Sequence, residues 1–156
     1  MYNPPCENLC DSTARVSIHS RGVRTASARI PERIHKTVLV VDDNPFIREM
    51  ICDVFISAGF ERCVQAENGA RALVEAEKAK PDAIILDLSM PVMNGLEAAP
   101  LLRRILPSVP IILYTIHENP AMSQVDVAKL GISLVVSKSE PLKNLVATVN
   151  RLLHGN

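Results

Sequence analysis

Residues 37–59 read TVLVVDDNPFIREMICDVFISAG. The apolar run 38–41 is short and bounded by polar residues, which is how a buried strand reads. From Pro45 an amphipathic stretch reads as a helix over 45–58, and Gly59 stops it. The same alternation recurs down the chain. Residues 62–66 read as a second strand and 70–80 as a second helix ending before Pro81. A third strand falls at 83–86, and a third helix at 96–105 with Pro100 inside it. A fourth strand at 111–114 is followed by a fourth helix at 121–130 closed by Gly131, and a fifth strand at 134–136 by a last helix at 142–153. Five strands alternating with five helices predict an α/β fold, a doubly wound five-stranded parallel sheet with helices on both faces.

The whole chain has 156 residues, enough for one ordinary domain. It is 47% hydrophobic but only 3% aromatic, with no Trp, which suits a core of Val, Ile, Leu and Ala. Basic and acidic side chains balance at 17 each but are unevenly placed. Residues 1–36 hold six basic and three acidic groups and show no sustained apolar period, so they read as a disordered basic extension. Residues 37–156 hold eleven basic and fourteen acidic groups and form the domain. The basic groups of the extension are too dispersed to form a nucleic-acid or membrane patch, and no direct DNA binding is expected. Cys6, Cys10, Cys52 and Cys63 make no paired motif, so reduced thiols are expected in place of a zinc site or disulfide framework. No signal peptide or run of about 20 apolar residues is present, which predicts a cytoplasmic protein without a membrane span.

In a doubly wound sheet the ligand site lies beyond the carboxyl ends of the strands, where the strand order switches. Asp42 and Asp43 follow the first strand, Asp87 the third, Thr115 ends the fourth, and Lys138 follows the fifth. Singly, each has a bland reading, since Asp caps helices and Lys is usually a surface residue. Together they place three carboxylates in one cleft. Such carboxylates repel unless a cation compensates, and a hard divalent ion, Mg2+, is the natural partner because it accepts oxygens and retains waters and phosphate oxygens. The set therefore points to phosphoryl chemistry with a carboxylate as nucleophile.

The stretches VLVVDDNP (38–45), AIILDLSMPVMNG (83–95), ILYT (112–115) and VVSK (135–138) resemble the receiver domains of two-component response regulators. The resemblance covers residues 37–154 and implies a flavodoxin-like sheet of order 2-1-3-4-5. It implies that Asp87 accepts the phosphoryl group. Asp43 would ligate Mg2+ directly, Asp42 through water, Asp87 with them, and Ser89 through its backbone carbonyl. Thr115 would hydrogen-bond the phosphoryl group and Lys138 would pair with another of its oxygens. The implied partners are a sensor histidine kinase or histidine phosphotransfer protein and a downstream protein target. A phosphorylation-dependent homodimer through the fourth helix, fifth strand and fifth helix is a further expectation. The chain is expected to be a stand-alone receiver and not an enzyme, beyond intrinsic autophosphorylation and dephosphorylation.

Two positions depart from the family pattern. Val135 stands where a Tyr or Phe is usual, and Ser139 follows Lys138 where proline is usual, with Pro141 coming later. His117, two residues after Thr115, reads as a loop histidine or as a group that tunes loss of the phosphoryl group. Two other functions fit in part. A magnesium-dependent phosphatase of the haloacid dehalogenase type would need an acid two residues after its nucleophile, where Ser89 stands. A non-phosphorylated interaction module on the same scaffold would not need all five polar positions. A flavodoxin-like nucleotide binder lacks a glycine-rich phosphate loop after the first strand.

Overall fold

A computed structural model of the protein describes residues 34–116 and 124–155. Its elements run β1 Ile34–Val41, α1 Pro45–Ser57, β2 Phe60–Ala66, α2 Gly69–Ala79, β3 Ala83–Leu86, α3 Gly95–Ile105, β4 Ile111–Thr115, α4 Gln124–Lys129, β5 Leu134–Ser137 and α5 Leu142–His154. The sheet order is β2-β1-β3-β4-β5, with every neighbouring pair parallel. This is the doubly wound, flavodoxin-like arrangement that the alternating pattern predicts.

The two-residue period of the strands divides the core. Val38, Val40 and Ile85 face Ile51, Phe55, Leu145 and Val149, so α1 and α5 cover one face of the sheet. Leu39, Val41, Ile84 and Leu86 face Ala72, Ala76, Ala98 and Leu102, so α2 and α3 cover the other, with Val127 of α4 alongside. All four residues of β3 are buried, as befits a central parallel strand. Each large aliphatic side chain so enclosed is worth about 1.5–3 kcal/mol. Gly59 ends α1 at φ +100°, a conformation that a residue with a Cβ rarely adopts.

Three sequence expectations need correction. The sequence assigns residues 34–36 to the extension, but they belong to β1. The polar side chains of His35 and Lys36 hid the strand: His35 pairs with Glu61 at 3.1 Å, and Lys36 with Asp82 at 2.9 Å. The amide of Thr37 also donates to Asp82 Oδ2 at 2.8 Å. Residues 1–33 lie outside those described, as do 121–123 of the expected fourth helix. The second correction is small: β2 starts at Phe60, two residues early, because its exposed Glu61 and Arg62 alternate with apolar neighbours only from Cys63 on.

The third correction concerns the thiols. Cys52 and Cys63 form a disulfide between α1 and β2, with Cα atoms 5.5 Å apart. They lie 11 positions apart in sequence, so no spacing motif marks the pair; the turn at Gly59 folds α1 back over β2 and brings them together. Cys6 and Cys10 lie outside the described residues. Among the described residues no helix is long and apolar enough to cross a membrane.

Candidate functional site

The site grows out of four strand ends. The Asp42 amide extends the ladder past β1 by donating to Ala66 O at 3.2 Å, and the Asp87 amide does the same past β3, donating to Val41 O at 2.8 Å. The Lys138 amide donates to Thr115 O at 2.8 Å and ties the end of β5 to β4. Backbone pairing thus fixes where each side chain emerges. Asn44 caps α1, its side chain accepting from the Phe46 amide, with Pro45 at the first helical position. The Asn44 amide in turn donates to Asp42 Oδ1 at 2.9 Å.

Asp42, Asp43 and Asp87 form the one such acidic group among the described residues, with a carboxylate oxygen of each within 4.8 Å of the others. Asp42 and Asp87 are buried and Asp43 is exposed. The Lys138 ammonium lies between the buried pair, 2.5 Å from Asp42 Oδ2 and 2.9 Å from Asp87 Oδ1. Thr115 is buried beside them. A cleft of about 230 Å³ opens among these groups and is also lined by Ser89, Asn44 and Ile116. The structure therefore brings together all six residues that the sequence singles out: Asp42, Asp43, Asp87, Ser89, Thr115 and Lys138. His117 lies outside the described residues.

Burial raises the Asp87 carboxyl above its ordinary range; Lys138 opposes this, and the Asp42 charge adds to it. Burial would lower the Lys138 ammonium, but its hydrogen bonds to Asp42 and Asp87 prevail and raise it. Three carboxylates against one ammonium leave an excess of two negative charges. An all-oxygen donor set of that charge fits a hard divalent cation such as Mg2+ and offers nothing to softer metals.

The loop from β3 to α3 forms one wall. A Cβ on Gly95 would lie 2.2 Å from the Asp87 carbonyl oxygen, so only glycine lets the first turn of α3 approach the backbone of Asp87. Earlier in that loop Val92 sits at φ +71°, between the Pro91 carbonyl and the Met93 amide that donates to it at 2.8 Å. This is a γ-turn centred on a β-branched residue, a strained arrangement.

Sequence reasoning passed over Arg48. Its guanidinium reaches back from α1 to the carbonyls of Asp42 at 2.7 Å and Asp43 at 3.3 Å. The one signal for it is position: four residues past Asn44, it falls on the face of α1 that carries the cap. Val135 is partly exposed on the outer strand opposite Leu113. The Ser139 hydroxyl is 2.7 Å from that of Ser137.

Comparison with known proteins agrees with this geometry. The family described as the response regulator receiver domain matches residues 38–150. The chemotaxis protein CheY of Thermotoga maritima is 32% identical over 117 residues, covering 75% of this chain and 97% of that protein. A putative transcriptional regulator of Pseudomonas aeruginosa is 36% identical over 118 residues, covering 76% of this chain but only 56% of its own length. Among solved structures, chemotaxis protein CheY4 of Vibrio cholerae matches with a TM-score of 0.70 at 30% identity, over 76% of this chain and 99% of that one. A LuxR-family two-component response regulator from Aurantimonas matches with a TM-score of 0.72 at 25% identity, over 79% and 88%.

Proposed function

Since this chain belongs to the response regulator receiver family, we propose that it takes a phosphoryl group from a phosphohistidine donor onto Asp87 and signals by a change of shape. The observation that carries this reading is the contact of Lys138 with both Asp42 and Asp87 in the cleft. A carboxylate held there attacks phosphorus; the phosphorus–oxygen bond forms as the phosphorus–nitrogen bond breaks, and the donor imidazole keeps the electron pair. Lys138, already 2.9 Å from Asp87 Oδ1, is placed to follow the charge onto the phosphoryl oxygens. Thr115, buried at the end of β4, is placed to donate its hydroxyl to another. Asp42, Asp43, Asp87 and the Ser89 carbonyl would hold Mg2+. When bound, that ion neutralises charge on the transferring oxygens.

The acyl phosphate adds roughly one negative charge and new acceptor oxygens at Asp87. Thr115 and Lys138 are placed to meet that charge. Val135 has no ring to swing, so the change of shape in this protein does not run through an aromatic side chain on β5. The source of the phosphoryl group is a sensor histidine kinase or a histidine phosphotransfer protein, and the readout is a protein target or a second copy of the chain. On this reading the protein turns over no substrate other than its own acyl phosphate, and its place is the cytoplasm, where such kinases present their phosphohistidine.

Intact mass after treatment with acetyl phosphate and Mg2+ tests the proposal. The native protein gains one phosphoryl group and Asp87→Asn gains none. Equal labelling of the two would refute the assignment, and sustained turnover of small phosphomonoesters would favour a phosphatase instead.

A further inference from the structure

Arg48 carries a feature that the phosphoryl chemistry leaves unexplained. It makes no ion pair among the described residues; its three hydrogen-bond partners are neutral. Nη1 donates to the carbonyls of Asp42 and Asp43, and Nε donates to the Gln65 side-chain oxygen at 3.2 Å. A planar guanidinium is suited to several acceptors held in fixed directions, which an ammonium cannot engage together. Its position is also mildly unfavourable in isolation, because a cation at the end of the first turn of a helix faces the positive end of the helix dipole. The partners it gathers offset that cost.

Those partners lie on the acidic loop and on the strand beside it. Asp42 and Asp43 are the loop itself, and Gln65 is on β2, opposite Val40 of β1. One helical turn beyond Arg48, Cys52 is bonded to Cys63, two residues before Gln65 on the same strand. The disulfide and the arginine thus lie along one seam between α1 and β2, and the disulfide keeps that seam closed whether or not the arginine is present. What Arg48 adds is local: it fixes the backbone from which two of the three carboxylates project. The orientation of the Asn44 amide, which donates to Asp42 Oδ1, depends on that same backbone.

We infer that Arg48 is a positioning residue, which clamps the Asp42–Asp43 backbone against β2 and so presents the acidic pair to a divalent cation. The clamp itself is a statement about the metal-free protein; its consequence for Mg2+ rests on the function proposed above. Residues that orient ligands from behind typically matter about 10–100-fold in metal affinity.

The test uses the whole 156-residue chain with its disulfide formed. In Mg2+-free buffer, amide hydrogen exchange at Asn44 should quicken about tenfold in Arg48→Ala, and by a smaller factor in Arg48→Lys, which keeps the charge without the fork. Gln65→Leu, which removes only the outer anchor, should also quicken it, while Arg71→Ala, which shares a surface hollow with Arg48 and Gln65, should not. A Mg2+ titration followed by NMR should then show affinity about tenfold weaker in Arg48→Ala and partly restored in Arg48→Lys. Asn44 exchange within about twofold of native in Arg48→Ala would overturn the clamp, whatever happens to melting temperature. Should Arg48→Ala fail to fold, the same criterion applied to Arg48→Lys decides. A native protein that binds no Mg2+, with Asn44 exchange still quickened by Arg48→Ala, would uphold the clamp and refute the reading of the pocket as a cation site.

Discussion

The two ends of the sheet use charge in opposite ways. At the carboxyl end, Asp42 and Asp87 are buried close together with one lysine between them, and the Asp87 carboxyl is held above its ordinary range by burial. At the amino end, Arg103 in the last turn of α3 donates to Gly131 O, Pro107 O and Val109 O at 2.6–3.1 Å, taking up carbonyls that the chain would otherwise leave open. Lys36 and Asp82 there form a simple pair. Strain is distributed in the same way. Val92 holds its γ-turn at the carboxyl end, whereas the left-handed Lys80 at the amino end is an ordinary helix cap. One end satisfies polar groups. The other leaves carboxylates in excess, and that excess is what a cation and a phosphoryl group can use.

The contrast predicts that changes at the amino end and at the disulfide cost stability without touching the site, and that changes at the carboxyl end do the reverse. The largest effect should come from the disulfide. Reducing the Cys52–Cys63 disulfide, which closes a short loop, should cost about 3 kcal/mol in chemical denaturation while Mg2+ affinity changes little. Next, Arg103→Ala should cost about 2 kcal/mol, since several carbonyls lose a charged donor, and acetyl phosphate should still label the variant at the native rate. Slow labelling there would mean that the two ends are coupled and the contrast is false.

Asp87→Asn should go the other way. The Asp87 carboxyl is raised in the fold relative to the unfolded chain, so its contribution to stability is present below the unfolded value and lost as pH rises through the folded one. Near neutral pH, without Mg2+, Asp87→Asn should therefore melt higher than native, and the gap should close in acid. A lower melting temperature at neutral pH would show that the Lys138 contact outweighs the burial of the carboxylate. The smallest effect is expected at Val92→Gly. That side chain is largely exposed, so little packing is lost, and relief of the positive φ should add about 1 kcal/mol of stability.

Most of this arrangement is legible in the sequence because its chemistry follows directly on apolar runs. Asp42, Asp43 and Asp87 each lie one or two residues past a strand that announces itself by composition, and Lys138 and Thr115 stand at the ends of two more. Sheet topology then does the rest, bringing residues up to 96 positions apart into contact at Lys138 and Asp42. What could not be read depends on side chains that reach across elements. Arg48 bonds to carbonyls and Arg103 to a loop 28 residues on, and a carbonyl acceptor leaves no mark on residue type. The Cys52–Cys63 bond depends on how α1 folds back over β2. The start of β1 is hidden because its ladder is made by backbone, while two of its first three side chains are those of His35 and Lys36.

The central claim is that the carboxyl end gives up stability to keep a site for a cation. The most direct measurement is melting temperature across a Mg2+ titration for the native protein, Asp43→Ala and Arg103→Ala. A cation that binds only the folded state adds about 2.7 kcal/mol at 100 times its Kd. The native protein and Arg103→Ala should therefore rise in parallel, the latter from a lower start, while Asp43→Ala stays flat over the same range. A flat native titration, or an equal rise in Asp43→Ala, would contradict the account.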